Sequence, residues 1–352
     1  MEPYDRNIPF NHLPPLPPEA EVYLDEDVRT KLIQASRRLA ELKGLASTLP
    51  NQSLFVNTIA LREAKASSAI ENIFTTDDEL YRSLSYQESD YLDGPAKEIL
   101  HYREALWKGF QDISREGELT VDAIIDIYRE VKRTRGSLVA DTVYTPPRGK
   151  GVVERKMDEL VTFLNDDVQF PIDPLLKMAL GHYQFEAIHP FRDGNGRTGR
   201  ILCILYLIQK KLLDIPILFL SAYILQNKDA YYQALGEVTG TRHWKQWILF
   251  MLEAVTQTTE YTTDKINRIR TLMEKTENLV REKKNAVPRL EIPKLFEQPY
   301  IRPKNLLSDK IKSVNTAKKY LALLEEMGLL TKERIGKEYV WFNTELMDVL
   351  SD

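Results

Sequence analysis

His189-Pro190-Phe191-Arg192-Asp193-Gly194-Asn195-Gly196-Arg197-Thr198-Gly199-Arg200 sets a titratable base, a carboxylate, three glycines and three arginines within twelve positions. Both flanks are apolar and read as helix. Upstream, Leu175 to Ile188 forms a helix that stops at His189, because Pro190 disfavours helical backbone at the residue before it. Downstream, Ile201 to Ile208 is too apolar for a surface element and reads as a buried helix. The loop between them therefore feeds a helix N-terminus near Asn195. Helical patterns dominate the chain from about Val28 to Lys284, with Asp141 to Gly151 as the main interruption.

A helix N-terminus with free N–H groups and the positive end of the helix dipole is an anion site. Gly194 and Gly196 let the backbone fold tightly and approach an oxyanion closely. Arg197 and Arg200, three apart in the first turn, share a face. Two guanidinium forks there suit a polyphosphate better than a single phosphate. Asp193 is acidic where its surroundings favour anions, and its simplest use is to hold Mg²⁺, which binds through one or two carboxylates plus substrate phosphates. His189 titrates near neutral pH and can take a proton from an attacking hydroxyl. Phe191 is expected to point into the core and lock the loop. A lone His before Pro, or a lone Asp-Gly-Asn-Gly, is ordinarily just a turn, and it is the joint pattern that is specific. Neither G-x-x-x-x-G-K-[ST] nor a G-x-G-x-x-G after a strand is present.

At every defined position, His189 to Arg200 resembles the Fic-family signature H-P-F-x-D-G-N-G-R-x-x-R. The resemblance is helical and covers about residues 50 to 260. It implies transfer of AMP from ATP to a hydroxyl of a target protein, or of the chain itself. Carried over, His189 would deprotonate the target Ser, Thr or Tyr, and Asp193 would bind Mg²⁺ on the α- and β-phosphates. Gly194, Asn195 and Gly196 would cradle phosphates, with Arg197 and Arg200 on the β/γ end. A relative with phosphotransferase activity carries Lys in place of the second motif glycine, so Gly196 favours nucleotidyl transfer.

Leu54 to Asn72 reads as an Ala- and Leu-rich helix with Asn72 as a left-handed C-cap. Ser67 and Glu71 lie one turn apart on one face. Taken alone, this is an ordinary amphipathic helix with a solvated glutamate. Beside the signature, Ser67-x-x-x-Glu71-Asn72 resembles the family's inhibitory pattern [ST]-x-x-x-E-[GN]. The resemblance implies that Glu71 pairs with Arg200 and occupies the arginine that should orient the γ-phosphate. The same Glu71 could position a water for removing AMP from a modified target. A β-hairpin flap that pairs with target backbone is expected at 136–144, with Leu138, Val139 and Thr142 as contacts; β-branched and apolar residues suit a strand, and Pro146-Pro147 end it. In relatives a Tyr-Tyr pair at the place of Tyr231 and Tyr232 lines the nucleotide pocket. Aromatic faces stack on bases at about 1–3 kcal/mol each. Ordinary helix packing is the expected role of at least one of the two.

The chain has 352 residues, 43% of them hydrophobic, a single cysteine (Cys203) and a net charge of −4. It is long enough for two or three domains, and its charge excludes a general polyanion binder. No apolar run reaches the roughly 20 residues that cross a bilayer, and the first residues lack a signal peptide's layout; a cytoplasmic protein without membrane contact is expected. Pro14, Pro15, Pro17 and Pro18 make an extended arm laid over the body. Past Val287, Ile292 to Glu297 and Lys304 to Lys312 read as short helices. Ser313 caps a third, Val314 to Met327, with Val314, Ala317, Leu321 and Leu324 on its apolar face. Gly328 ends it, and Leu329 to Thr331 and Tyr339 to Phe342 flank a hairpin turn. That order resembles a winged helix. Residues 301–338 carry nine Lys or Arg against five Asp or Glu, a small excess for a contact with DNA or with protein.

The expected molecule is mostly α: a Fic-type helical bundle with a β-hairpin flap and a small C-terminal winged-helix domain. Its divisions are an N-terminal arm and inhibitory region at 1–90, a core at 91–255, a helical linker at 256–288 and a winged-helix-like part at 289–352. ATP and Mg²⁺ are the expected substrate and cofactor, and a homodimer is implied by relatives alone. The alternatives are UMP transfer or AMP removal at the same site, or a DNA-binding regulator that senses nucleotide.

Overall fold

The computed structural model describes residues 5, 7–49, 52–86, 94–132, 145–283, 287–335 and 338–351. The protein is mostly helical and divides into two compact units. One comprises Met1–Thr48, Ala60–Phe74 and Glu98–Glu260, the other Leu49–Ile59, Thr75–Lys97 and Tyr261–Asp352. In chain order the helices are α1 (Ala20–Tyr23), α2 (Glu26–Ser47), α3 (Gln52–Ile70), α4 (Asp77–Tyr86), α5 (Pro95–Glu116), α6 (Val121–Val131), α7 (Val152–Asn165), α8 (Pro174–Ile188), α9 (Asn195–Gln209), α10 (Leu220–Gln226), α11 (Lys228–Thr241), α12 (Trp244–Glu282), α13 (Val314–Glu326) and α14 (Thr344–Ser351). Among the described residues, no helix is long and apolar enough to cross a membrane.

In the first unit, α8 and α9 form the central pair. α7 packs on α8, and α6 packs on α9. Both central helices are apolar around nearly their whole circumference, which is what burial on all sides requires. Leu180, Ile188, Ile201, Ile204, Leu205 and Leu207 are fully buried; truncating one of them to alanine would cost about 2–5 kcal/mol. Asp173 caps α8 by accepting from the Leu175 N–H, and Pro174 opens the first turn, where its missing donor does no harm. Trp247 of α12 donates its indole N–H to the Ala179 carbonyl at 2.7 Å, fixing α12 to the middle of α8. The N-terminal arm is pinned to the stretch before α7. Phe10 N–H donates to the Thr145 carbonyl, and the Asn11 amide brackets Arg148 through its N–H and C=O.

In the second unit, β1 (Tyr300–Ile301), β2 (Thr331–Ile335) and β3 (Glu338–Phe342) make an antiparallel sheet in the order β1-β3-β2. Ala317, Leu321 and Leu324 of α13 face inward, and Gly328 ends its turn at φ 74°. Val314 departs from the expected apolar stripe and is 43% exposed. The helix expected over Lys304 to Lys312 is only a 3₁₀ turn, Pro303–Leu306. Beyond it the Ser308 hydroxyl accepts from the N–H groups of Lys310 and Ile311, and that local competition turns the chain. Ser313 sits at the N-cap of α13 but makes no capping bond with its side chain. Gly336 and Lys337, the centre of the expected hairpin turn, lie outside the described residues.

Candidate active site

The signature loop is closed by its own side chains. His189 ends α8 in the left-handed conformation, φ 48° and ψ 56°, with its N–H on the Phe185 carbonyl. The chain thereby leaves the helix sharply at the residue before Pro190. The Phe191 ring is half-buried. It stacks on Tyr128 of α6 at 3.7 Å between centroids with the planes 3° apart, and tilts against Phe185. Asn195, 1% exposed, spans the loop. Its amide donates to the Phe191 carbonyl at 2.6 Å and its oxygen accepts from the Phe191 N–H at 2.9 Å. Gly194 precedes α9 at φ 84°, a conformation that favours glycine. The amides of the first turn of α9, which have no intrahelical partner, thus open onto this loop.

His189 is exposed, and its Nδ1 lies 3.3 Å from the Glu186 carbonyl. A carbonyl only accepts, so Nδ1 carries the proton and Nε2 keeps its lone pair. Crowding by protein atoms holds the imidazole pKa below the ordinary histidine value, against the pull of the Glu186 carbonyl, Glu71 and Asp193. The ring is therefore neutral at pH 7 and able to accept a proton. Asp193 takes a bond from the Lys132 ammonium, Nζ to Oδ2 at 2.5 Å. Burial pushes its carboxyl up, but Lys132, with Arg197 and the Gly194 N–H, more than offsets this and holds it below the usual carboxylate range.

The two arginines of the signature part company. Arg197, 2% exposed, donates to Glu98 of α5 at 2.8 Å. Expected beside Arg200 on a phosphate tail, it pairs here with a carboxylate of α5, which its guanidinium at this depth needs. Arg200, 1% exposed, faces α3. Its Nε donates to the Ser67 hydroxyl, and its Nη2 donates to the Ser67 carbonyl and to Glu71 Oε1, at 2.8, 2.8 and 2.9 Å.

The end of α3 places Glu71. The Asn72 N–H returns to Ala69 and the Ile73 N–H to Ser68, with Asn72 at φ 61°. This pair of bonds around a left-handed residue is a Schellman closure, which makes Glu71 the C-cap. Lys228, at the start of α11, donates to the Ile70 carbonyl at 2.6 Å and so caps the same end with positive charge. The Glu71 carboxylate comes to rest over Gly196, where an added Cβ would collide with Oε1. Deeper on the same face, Glu63 accepts from the Tyr102 hydroxyl and from the N–H and hydroxyl of Ser221. Burial raises its pKa. Below His189, burial raises the Glu186 carboxyl to about 8 and lowers His182 to about 3.

The adjacent tyrosines split. Tyr231 is 2% exposed, bonds His182 Nε2 through its hydroxyl at 3.0 Å and packs on Trp247 and Phe250. It packs as core, and its neighbour points about 100° away around the helix. Tyr232 is 48% exposed, and partial burial, with Glu71 adding to it, pushes its hydroxyl up to about 12. Leu138, Val139 and Thr142 of the expected flap lie outside the described residues. Sequence reasoning missed Glu98, Lys132 and Lys228, whose links to the site cross 99, 61 and 158 residues. Glu63 was legible in principle, since it precedes Ser67 by one turn on the same face.

Three family profiles match: the Fic/DOC family N-terminal region over residues 29–111, the Fic/DOC family over 91–207, and the C-terminal domain of SoFic-like protein adenylyltransferases over 272–346. Among curated proteins, protein adenylyltransferase fic-1 of Caenorhabditis elegans is 35% identical over 101 residues, 26% of this chain and 20% of the relative. A probable protein adenylyltransferase of Aquifex aeolicus is 30% identical over 168 residues, 47% of this chain and 44% of the relative. The chain thus spans less than half the length of these relatives. A solved Fic family protein from Desulfovibrio desulfuricans has the same fold at a TM-score of 0.52 and 18% identity, over 89% of this chain and 95% of that one. The Fic-1 structure from C. elegans gives 0.53 and 19%, over 68% and 74%.

Proposed function

We propose that this chain, which belongs to the Fic family, is a protein adenylyltransferase held in check by its own α3. The observation that carries the reading is the pairing of Arg200 with Glu71 directly over Gly196, beside an exposed imidazole held through Nδ1 on the Glu186 carbonyl. The amides at the N-terminus of α9 would take the phosphates of ATP. A hydroxyl oxygen of the target attacks the α-phosphorus while His189 Nε2 accepts its proton. The bond from the α-phosphorus to the bridging oxygen breaks, and pyrophosphate leaves.

Asp193 fits Mg²⁺. Its side chain is 43% exposed, and a single carboxylate suffices where substrate phosphates supply other ligands. Among the described residues there is no group of three or more His, Cys, Asp or Glu able to cage a metal. When bound, Mg²⁺ would neutralise charge on the phosphates.

Glu71 acts as a brake because it holds the guanidinium that should orient the γ-phosphate. ATP enters with its α-phosphorus misaligned. The reading is tested by incubating the protein and its Glu71→Gly variant with ATP labelled at either the α- or the γ-phosphorus. Covalent α-label on protein supports it. Transfer of γ-label, or ATP binding with no transfer to any protein of a lysate, overturns it.

A further inference from the structure

The carboxylate of Asp193 already has a cation. Lys132 follows the last turn of α6, its N–H on the Tyr128 carbonyl at 3.0 Å, and the Tyr128 ring is stacked on Phe191 of the signature loop. The root of the lysine is thus fixed relative to Asp193. Its side chain is only 16% exposed. The stem lies along Gly194, with Cδ 3.1 Å from where a Cβ would stand, so the residue next to Asp193 leaves just the room this stem fills. The ammonium reaches Oδ2 at 2.5 Å. This is a built contact. An ammonium and a hard divalent ion seek the same carboxylate oxygen, and two cations at one oxygen repel.

We propose that Lys132 is a resident counter-ion that competes with a divalent cation for Asp193, so that the metal enters only as the ammonium is drawn away. Incoming phosphate offers that ammonium a new anion, and lysine, a compact charge with three donors, can follow it. The exchange preserves charge balance: carboxylate passes from ammonium to metal as phosphate takes the ammonium. Lys132 is a positioning residue in this scheme. The inference rests on the adenylyltransferase reading only for the nucleotide half of the exchange.

The test is Mn²⁺ titration of the nucleotide-free, full-length protein, followed by electron paramagnetic resonance. Lys132→Met should bind Mn²⁺ about tenfold more tightly than the parent, and Lys132→Arg should stay near the parent. Asp193→Asn should abolish the gain. Equal or weaker binding by Lys132→Met, binding that survives Asp193→Asn, or no Asp193-dependent signal in any variant overturns the proposal. Circular dichroism melts establish that each variant folds, and Lys132→Gln replaces Lys132→Met should the latter fail. A non-hydrolysable ATP analogue, titrated without metal into Glu71→Gly, reads the other half. Failure to bind there counts against the adenylyltransferase reading and leaves the Mn²⁺ result to decide the competition.

Discussion

Replacing Glu71 by glycine should raise AMP transfer about a hundredfold. Arg200 is 1% exposed and gives Glu71 Oε1 a bond of 2.9 Å. A hydrogen bond between two charged groups of which one is buried contributes roughly 1.5–3 kcal/mol, which corresponds to about ten- to 150-fold in a population or a rate. An α-phosphorus displaced by about an ångström loses on the order of a hundredfold. The two routes converge because they describe one event, the return of Arg200 to the γ-phosphate. Glutamine at the same position keeps its bulk over Gly196 but loses the charge, so Glu71→Gln should gain only about tenfold. The assay is incorporation of α-labelled phosphorus into protein over time, with His189→Ala in the Glu71→Gly background as the zero. Equal labelling by the parent and Glu71→Gly would refute the reasoning, as would a Gln variant that outpaces the Gly variant.

Ser67→Ala removes the Nε bond of Arg200 but leaves the Ser67 carbonyl and Glu71 in place; labelling should rise by about two- to tenfold, well short of Glu71→Gly. Because the pKa of His189 lies below its ordinary value and the base works when deprotonated, the acid limb of the Glu71→Gly rate profile should have its midpoint below about 6.5; a midpoint above that value contradicts the assignment. Glu186 has its pKa raised to about 8 in the fold against 4.5 in the open chain. Its contribution is complete below 4.5 and declines as pH rises towards 8. Glu186→Gln should therefore flatten the loss of melting temperature over that window, by a few degrees at pH 8, and identical profiles would exclude a protonated Glu186. Tyr102→Phe strips one donor from the buried Glu63 and should lower unfolding stability by about 1–3 kcal/mol in denaturant titration.

The helices around the signature were legible because local chemistry dictates them. Pro190 marks the stop of α8, and the run from Ile201 to Ile208 has nowhere to go but inward. Asn72 announced its left-handed turn for the same kind of reason. The partners of the charged residues were not legible. Nothing local ties Arg197 to Glu98 or Asp193 to Lys132; such pairs form because a buried guanidinium or a crowded carboxylate must find an opposite charge, and which one it finds depends on how the helices pack. Tyr231 and Tyr232 look alike in sequence, yet one is core and one is surface, since the phase of α11 against α12 decides it. The Ser308 turn shows the reverse case, a hydroxyl overriding a helical pattern that nothing else opposed.

The bond from Lys228 to the Ile70 carbonyl joins the tail of α3 to the first turn of α11, the helix that also presents Tyr232. Thermodynamic reciprocity follows from that single link. If an occupant that unseats Glu71 also loosens the opening turn of α11, then stiffening that turn opposes the occupant by the same factor. Amide exchange at Tyr231 and Tyr232, in the turn that Lys228 opens, would report such a coupling.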